Sequence, residues 1–152
     1  MPRHHESRDL PYTARQMYDL VADVPRYPEF LPWNSAARIR SVTALQGGAP
    51  GDQVMEADLV ISFKVFREQF GSRVTLLPSA GLIHSEYIDG PFKHLKATWA
   101  FSETAKGCNV TFDVDFEFRS ALLAGIIGLV FNEAMTRVVR AFETRAKSLY
   151  GG

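Results

Sequence analysis

Few side chains in this 152-residue chain combine the type and the spacing that chemistry needs. His84 and Glu86 are two apart, so on a strand they share a face. An imidazole beside a carboxylate can move protons. A solvent-facing pair on a strand reads the same way. Glu68 keeps the parity of Phe70 and Val74, which makes it a polar group at the rim of whatever those residues enclose. Arg73 has the opposite parity and reads as outward. Glu68, His84 and Glu86 are therefore the candidate groups for orienting a ligand. His4 and His5 are adjacent but lie in a polar N-terminal stretch expected to be flexible over residues 1–7. No G-x-S-x-G elbow and no H-E-x-x-H pair occurs. Gly47–Gly48 and Pro50–Gly51 are turn material rather than a phosphate cradle. The single cysteine, Cys108, can build neither a disulfide framework nor a metal cluster alone. No catalytic residue, metal site or covalent cofactor is expected.

The composition fits one domain spanning 1–152 around one core: 46% hydrophobic, 22% charged, with 17 basic and 17 acidic residues. Zero net charge gives no electrostatic case for DNA, although a local basic patch on Arg137, Arg140, Arg145 and Lys147 is open to ribosomal RNA. MPRHHESRD is polar and no apolar run follows it, which predicts the cytoplasm or the periphery of the inner membrane.

Thr13 with Gln16 three residues later is capping-box spacing, and Met17, Leu20, Val21 and Val24 recur at helical period. Asp23 and Pro25 predict a second short helix carrying Tyr27, Phe30 and Leu31. Thereafter the period is two. The segments around Arg38–Leu45, Met55–Val65, Phe70–Leu76, Leu82–Ile88, Leu95–Phe101 and Val110–Phe118 predict an antiparallel meander, since nothing between them is long enough for a crossover helix. Arg8–Pro11 is a candidate first strand. From Ser120 the pattern is helical to about residue 149, some 45 Å at 1.5 Å per residue. Its first half is apolar all round yet too short to cross a bilayer. Gly125 and Gly128 within it predict either close backbone packing or a locally weak helix that suits ligand entry or membrane contact.

Phe63, Phe70, Trp99, Phe101, Phe112, Phe116 and Phe118 fall on the inward parity of the sheet. They could fill a core, or they could line an apolar cavity under the long helix. Periodicity does not separate the two, because core-facing and cavity-facing side chains obey the same pattern.

LPYTARQMYDLVADVPRYPEFLPW, Leu10 to Trp33, resembles the opening of the coenzyme Q-binding START-like family, which includes ribosome-association toxins and polyketide cyclase-like lipid-transport proteins. The likeness continues through Phe63–Lys64–Val65, Arg67–Glu68 with Phe70, Arg73–Val74, Gly90–Pro91–Phe92, Trp99 with Phe101, Phe116–Glu117–Phe118, Ser120 to Leu123 and Phe142 with Arg145–Ala146. It implies an α+β START/Bet v 1-like helix-grip: a curved antiparallel sheet around a long C-terminal helix, with two short helices after the first strand. It also implies an apolar tunnel for a lipid-like molecule such as ubiquinone. The residues mapped to that tunnel are Phe63, Phe70, Trp99, Phe101, Phe112 and Phe116, with Leu123, Ile127, Val130 and Phe131 from the helix. Tyr27, Phe30 and Trp33 would close one end. The function so implied is non-enzymatic binding or chaperoning of an isoprenoid quinone. The alternatives are a factor that binds the large ribosomal subunit and inhibits subunit joining, or a polyketide cyclase-like enzyme.

Overall fold

The computed structural model describes residues 3–63, 66–89, 92–118 and 121–151, without the side chains of Phe63, Phe66, Glu68, Asp89, Phe92, Phe118, Leu123, Ala124 and residues 126–132. The chain runs β1 (Arg3–Leu10), α1 (Ala14–Ala22), a 3₁₀ segment (Val24–Glu29), β2 (Asn34–Ala44), β3 (Gln53–Phe63), β4 (Phe66–Leu77), β5 (Leu82–Asp89), β6 (Phe92–Thr104), β7 (Gly107–Phe118) and α2 (Ala121–Tyr150). The strands form an antiparallel sheet of order β1-β7-β6-β5-β4-β3-β2. This is the expected helix-grip architecture. Strands β1 and β2 are consecutive in the chain but lie at opposite edges. Their connection, α1 plus the 3₁₀ segment, must therefore cross the open side of the sheet.

The capping box forms as read: Gln16 N donates to Thr13 Oγ1 at 3.0 Å and Thr13 N to Gln16 Oε1 at 2.9 Å. Met17, Tyr18, Leu20 and Val21 are the buried face of α1. The second helix is 3₁₀ rather than α. It is six residues long with Pro25 in its first turn and Pro28 inside, and each proline removes a backbone donor. Its Asp23 makes no side-chain cap.

The expected strand at Arg8 begins earlier, at Arg3, and pairs along its length with β7, from Arg3 opposite Asp115 to Leu10 opposite Cys108. Polarity hid it: of its alternating residues only Leu10 is aliphatic, and the rest of the half-buried row is His4, Glu6 and Arg8. Helix α2 packs through Val139, Phe142 and Ala146, all buried. A Cβ built on Gly125 would meet nothing within 4 Å, so this glycine does not mediate close packing. Gly128 and the Ser120 cap lie outside what is described.

Candidate functional site: the concave face under the long helix

Side-chain parity divides the sheet into an inner face toward α2 and an outer face toward solvent. At the end covered by α1 the inner rows are filled: Met55, Ala57, Val74, Leu76, Ile83, Trp99, Phe101, Val110 and Phe112 are all buried. Tyr18 of α1 meets Phe101 edge-on at 5.7 Å. Toward the other end the same rows of β3, β5 and β6 are only partly covered, at Leu59, Ile61, Ser85, Tyr87, Leu95 and Ala97. The C-terminal half of α2 lies over the filled end, where the Tyr150 hydroxyl donates to the Gln16 carbonyl at 3.1 Å.

Phe142 of α2 joins the layers. Its ring lies 4.9 Å from Trp99, 5.5 Å from Tyr27 and 5.2 Å from Phe30, each contact edge-on. Trp99 in turn sits 4.3 Å from Phe112. The Tyr27 hydroxyl donates to the Val21 carbonyl, tying the 3₁₀ segment back to α1. Burial pushes that phenol well above its ordinary pKa, with the charge of Asp23 adding to the effect, so the hydroxyl stays a donor at neutral pH. Arg145 spans from α2 to the same segment, with Nη2 2.8 Å from Glu29 Oε1 and its guanidinium 5.2 Å over the Phe30 ring.

Of the candidate residues, Phe70, Trp99, Phe101, Phe112 and Phe116 lie buried on the inner side, while Tyr27, Phe30 and Trp33 are half-buried near its 3₁₀ boundary. Phe101 belongs to the filled end. Glu68 stands opposite Ile61 in the β3–β4 register, and its side chain is outside the described set. The side chains of Phe63, Leu123, Ile127, Val130 and Phe131 are outside the described set. His84 and Glu86 are on the outer face. There His84 Nδ1 is 3.1 Å from Thr98 Oγ1. Glu86 stands in a row of alternating charge, Glu56, Arg73, Glu86, Lys96, Asp115 and Arg3, that crosses six strands. Such cross-strand pairs stabilise a sheet modestly. Among the described residues no group of three or more His, Cys, Asp or Glu could hold a metal ion.

Sequence reasoning missed a polar network between β1 and α2. Glu6 Oε1 accepts from Thr136 Oγ1 at 3.1 Å and lies 2.7 Å from His4 Nε2. Arg8 bridges onward, 3.1 Å from Glu6 Oε2 and 2.8 Å from Glu143 Oε1. A second carboxylate, Asp58 on β3, is buried on the outer face beneath Arg40 and Arg38. The parity of Glu6 with Leu10 was the available signal.

Both carboxyls titrate below their ordinary range. For Glu6, burial pushes upward but is outweighed by the hydrogen bonds of His4, Thr136 and Arg8 and by the charge of Arg8. For Asp58, the Arg40 hydrogen bond leads against burial, helped by the charge of Arg40 and by Arg38. A carboxyl with a lowered folded pKa binds fewer protons folded than unfolded. Its stabilisation is full above the unfolded value, near ~4, and is lost as pH falls through the folded value. The urea midpoint is therefore expected to fall as the pH is taken from about 5 to about 3. Glu6→Gln should flatten part of that fall. A variant profile parallel to the wild-type one would remove Glu6 from this account.

Compared with known proteins, residues 10–143 match the family described as polyketide cyclase / dehydrase and lipid transport. The ribosome association toxin RatA of Pseudomonas aeruginosa is 37% identical over 143 residues, covering 93% of each chain. The coenzyme Q-binding protein COQ10 homolog B of Xenopus laevis mitochondria is 32% identical over 97% of this chain and 59% of its own length. Among solved structures, the 18 kDa protein CC1736 of Caulobacter crescentus superposes over both whole chains with TM-score 0.81 at 32% identity. An aromatase/cyclase of Streptomyces, Zhui, shares the fold, with TM-score 0.76 at 15% identity, covering 96% of this chain and 93% of its own. With a match over nearly all its length and full-length relatives above 30% identity, this chain belongs to the polyketide cyclase/dehydrase and lipid transport family.

Proposed function

We propose that the protein is a ribosome-associating factor that binds the large subunit and interferes with subunit joining. The observation that carries this reading is its 37% and 38% identity, over nine-tenths of both chains, to ribosome association toxins of Pseudomonas aeruginosa and Rickettsia prowazekii. The surface offers a matching contact. Arg137, Arg140, Thr144 and Lys147 recur three or four apart along the outer side of α2, and all four are exposed. Arg137 is held by Glu133 at 3.0 Å. Arg140 and Lys147 have no carboxylate partner among the described residues, so their charges are available to phosphate. Arg145, which the sequence grouped with them, is turned to Glu29 and Phe30 and belongs to the interior. With zero net charge the attraction is local and short-ranged. In sedimentation with purified subunits the protein is expected to travel with the large one and to leave it as salt rises. Arg140→Glu with Lys147→Glu should weaken that association by about tenfold or more at moderate salt, as expected for lost phosphate contacts. Association that ignores both salt and the double reversal would defeat the assignment to this stripe. Absence of the wild-type protein from the subunit fractions would defeat the reading itself.

A second reading is supported by the partly covered end of the inner face: a hydrophobic molecule, of the class of an isoprenoid quinone, held beneath the N-terminal half of α2. Phe70, Phe112, Phe116 and Trp99 would border it, with Tyr27, Phe30 and Trp33 at the 3₁₀ end. Each Å² of apolar ligand surface removed from water would contribute roughly 25 cal/mol before the costs of association. Among the described residues no helix is long and apolar enough to cross a membrane.

A further inference from the structure

We propose that the junction between the 3₁₀ segment and β2 is a seat for the hydroxyl group of an amphipathic ligand, with the Asn34 carboxamide oxygen as its acceptor. This rests on the hydrophobic-ligand reading of the inner face. Asn34 is only 7% exposed, and its Oδ1 is buried without a hydrogen-bond partner. Native proteins keep few such atoms, because an unpaired buried oxygen has lost water and gained nothing.

Two local departures from regular backbone bring it there. Trp33 has φ 63, a left-handed conformation that is unfavourable for a bulky side chain. Its carbonyl accepts from Ser62 N at 2.7 Å, which fixes the turn. The register then shifts between Asn34 and Ala36. Without that shift residue 34 would share the parity of Arg38, which stands opposite Asp58 on the outer face. With it, Asn34 stands opposite Ile61 in the inner row, whose next register position is Glu68. The bulge thus delivers an amide to the inner row, where neighbouring Leu59 and Ile61 are only partly covered. A polar group so placed, at the cost of a strained residue and an interrupted ladder, fits a site for something the chain does not itself supply. An acceptor needs a donor. An apolar molecule carrying a phenol, hydroquinone or alcohol supplies one, whereas an ether or a fully oxidised quinone does not.

Calorimetric titration of a nonylphenol and of its methyl ether into the full-length protein tests this. The wild-type protein is expected to bind the phenol about tenfold more tightly than the ether. In Asn34→Leu that gap should close while ether binding is kept, and the variant should melt no lower than wild type because the orphan oxygen is gone. Asn34→Ala, which fills no new space, should close the gap as well and serves if the leucine does not fold. Equal wild-type affinity for the two probes, or a phenol preference that survives both substitutions, would overturn the seat and leave the hydrophobic-ligand reading standing. Failure of both probes to bind the wild-type protein would overturn the hydrophobic-ligand reading along with the seat.

Discussion

Phe142→Ala is expected to lower the unfolding free energy by about 3–5 kcal/mol, the range for removing a large aromatic side chain from a packed core. Phe142 is 3% exposed and is where three layers meet. On one side is Trp99 of the sheet, on the other Tyr27 and Phe30 of the 3₁₀ segment. Little can collapse into the space. Tyr27 is fixed by its bond to the Val21 carbonyl, and Phe30 is stacked under Arg145. The loss should therefore include a cavity contribution beyond simple transfer. Each edge-on ring contact adds about 0.5–1.5 kcal/mol above area burial. Urea unfolding of the variant checks it: the midpoint should drop at nearly constant slope. A loss below about 1 kcal/mol would mean that the cluster does not couple α2 to the sheet. Phe142→Leu, which keeps most of the volume, should recover a large part of the stability.

The same cluster shows what the sequence made legible. Capping-box spacing at Thr13 and Gln16 located α1, because two reciprocal hydrogen bonds require those residue types three apart. Alternation located β3 to β7 and assigned Phe70, Trp99, Phe112 and Phe116 to the inner side, because side-chain period two is a property of the pleat. Strand β1 was only partly legible. Its inward row is His4, Glu6 and Arg8, whose polar groups meet Thr136 and Glu143 from a helix over a hundred residues away. No local pattern announces a polar strand whose partners are that distant. Asn34 was hidden for a related reason. Parity counted back from Arg38 puts it outside, and only the register shift after it reverses that. His84 and Glu86 share a face as their spacing required, but which face depends on pairing with Thr98 and Lys96, a long-range fact.

The β1–α2 network bears on both functional readings, since it fixes the helix that carries the exposed Arg140 and Lys147 and that covers the inner face. Its anchors are on one edge strand. β1 pairs with β7 alone, so the helix position depends on how firmly that edge is held.

Gly107 holds it. It opens β7 with φ 155, and a Cβ added there would lie 2.0 Å from the Leu10 carbonyl oxygen and 2.9 Å from Pro11 Cα. Both are backbone atoms, which no rotamer change can move. Cys108, the next residue, pairs with Leu10 at the end of β1. Gly107→Val is therefore expected to push the end of β1 off the sheet and to lower stability by about 2–5 kcal/mol, combining backbone strain with overpacking. Gly47→Ala is the control. It has φ 77 but open space around the added carbon, so it should carry only the left-handed penalty, about 1–2 kcal/mol. Hydrogen exchange separates local from global loss. In Gly107→Val the amides of β1 and its partners on β7 should lose protection first, with β3 and β4 following only at the reduced global stability. Uniform loss across the sheet would show that β1 is not a separately yielding edge. Protection of β1 unchanged from wild type would show that the close approach at Leu10 relaxes freely, and that the hold on α2 lies in the helix contacts of Val139, Phe142 and Ala146 instead.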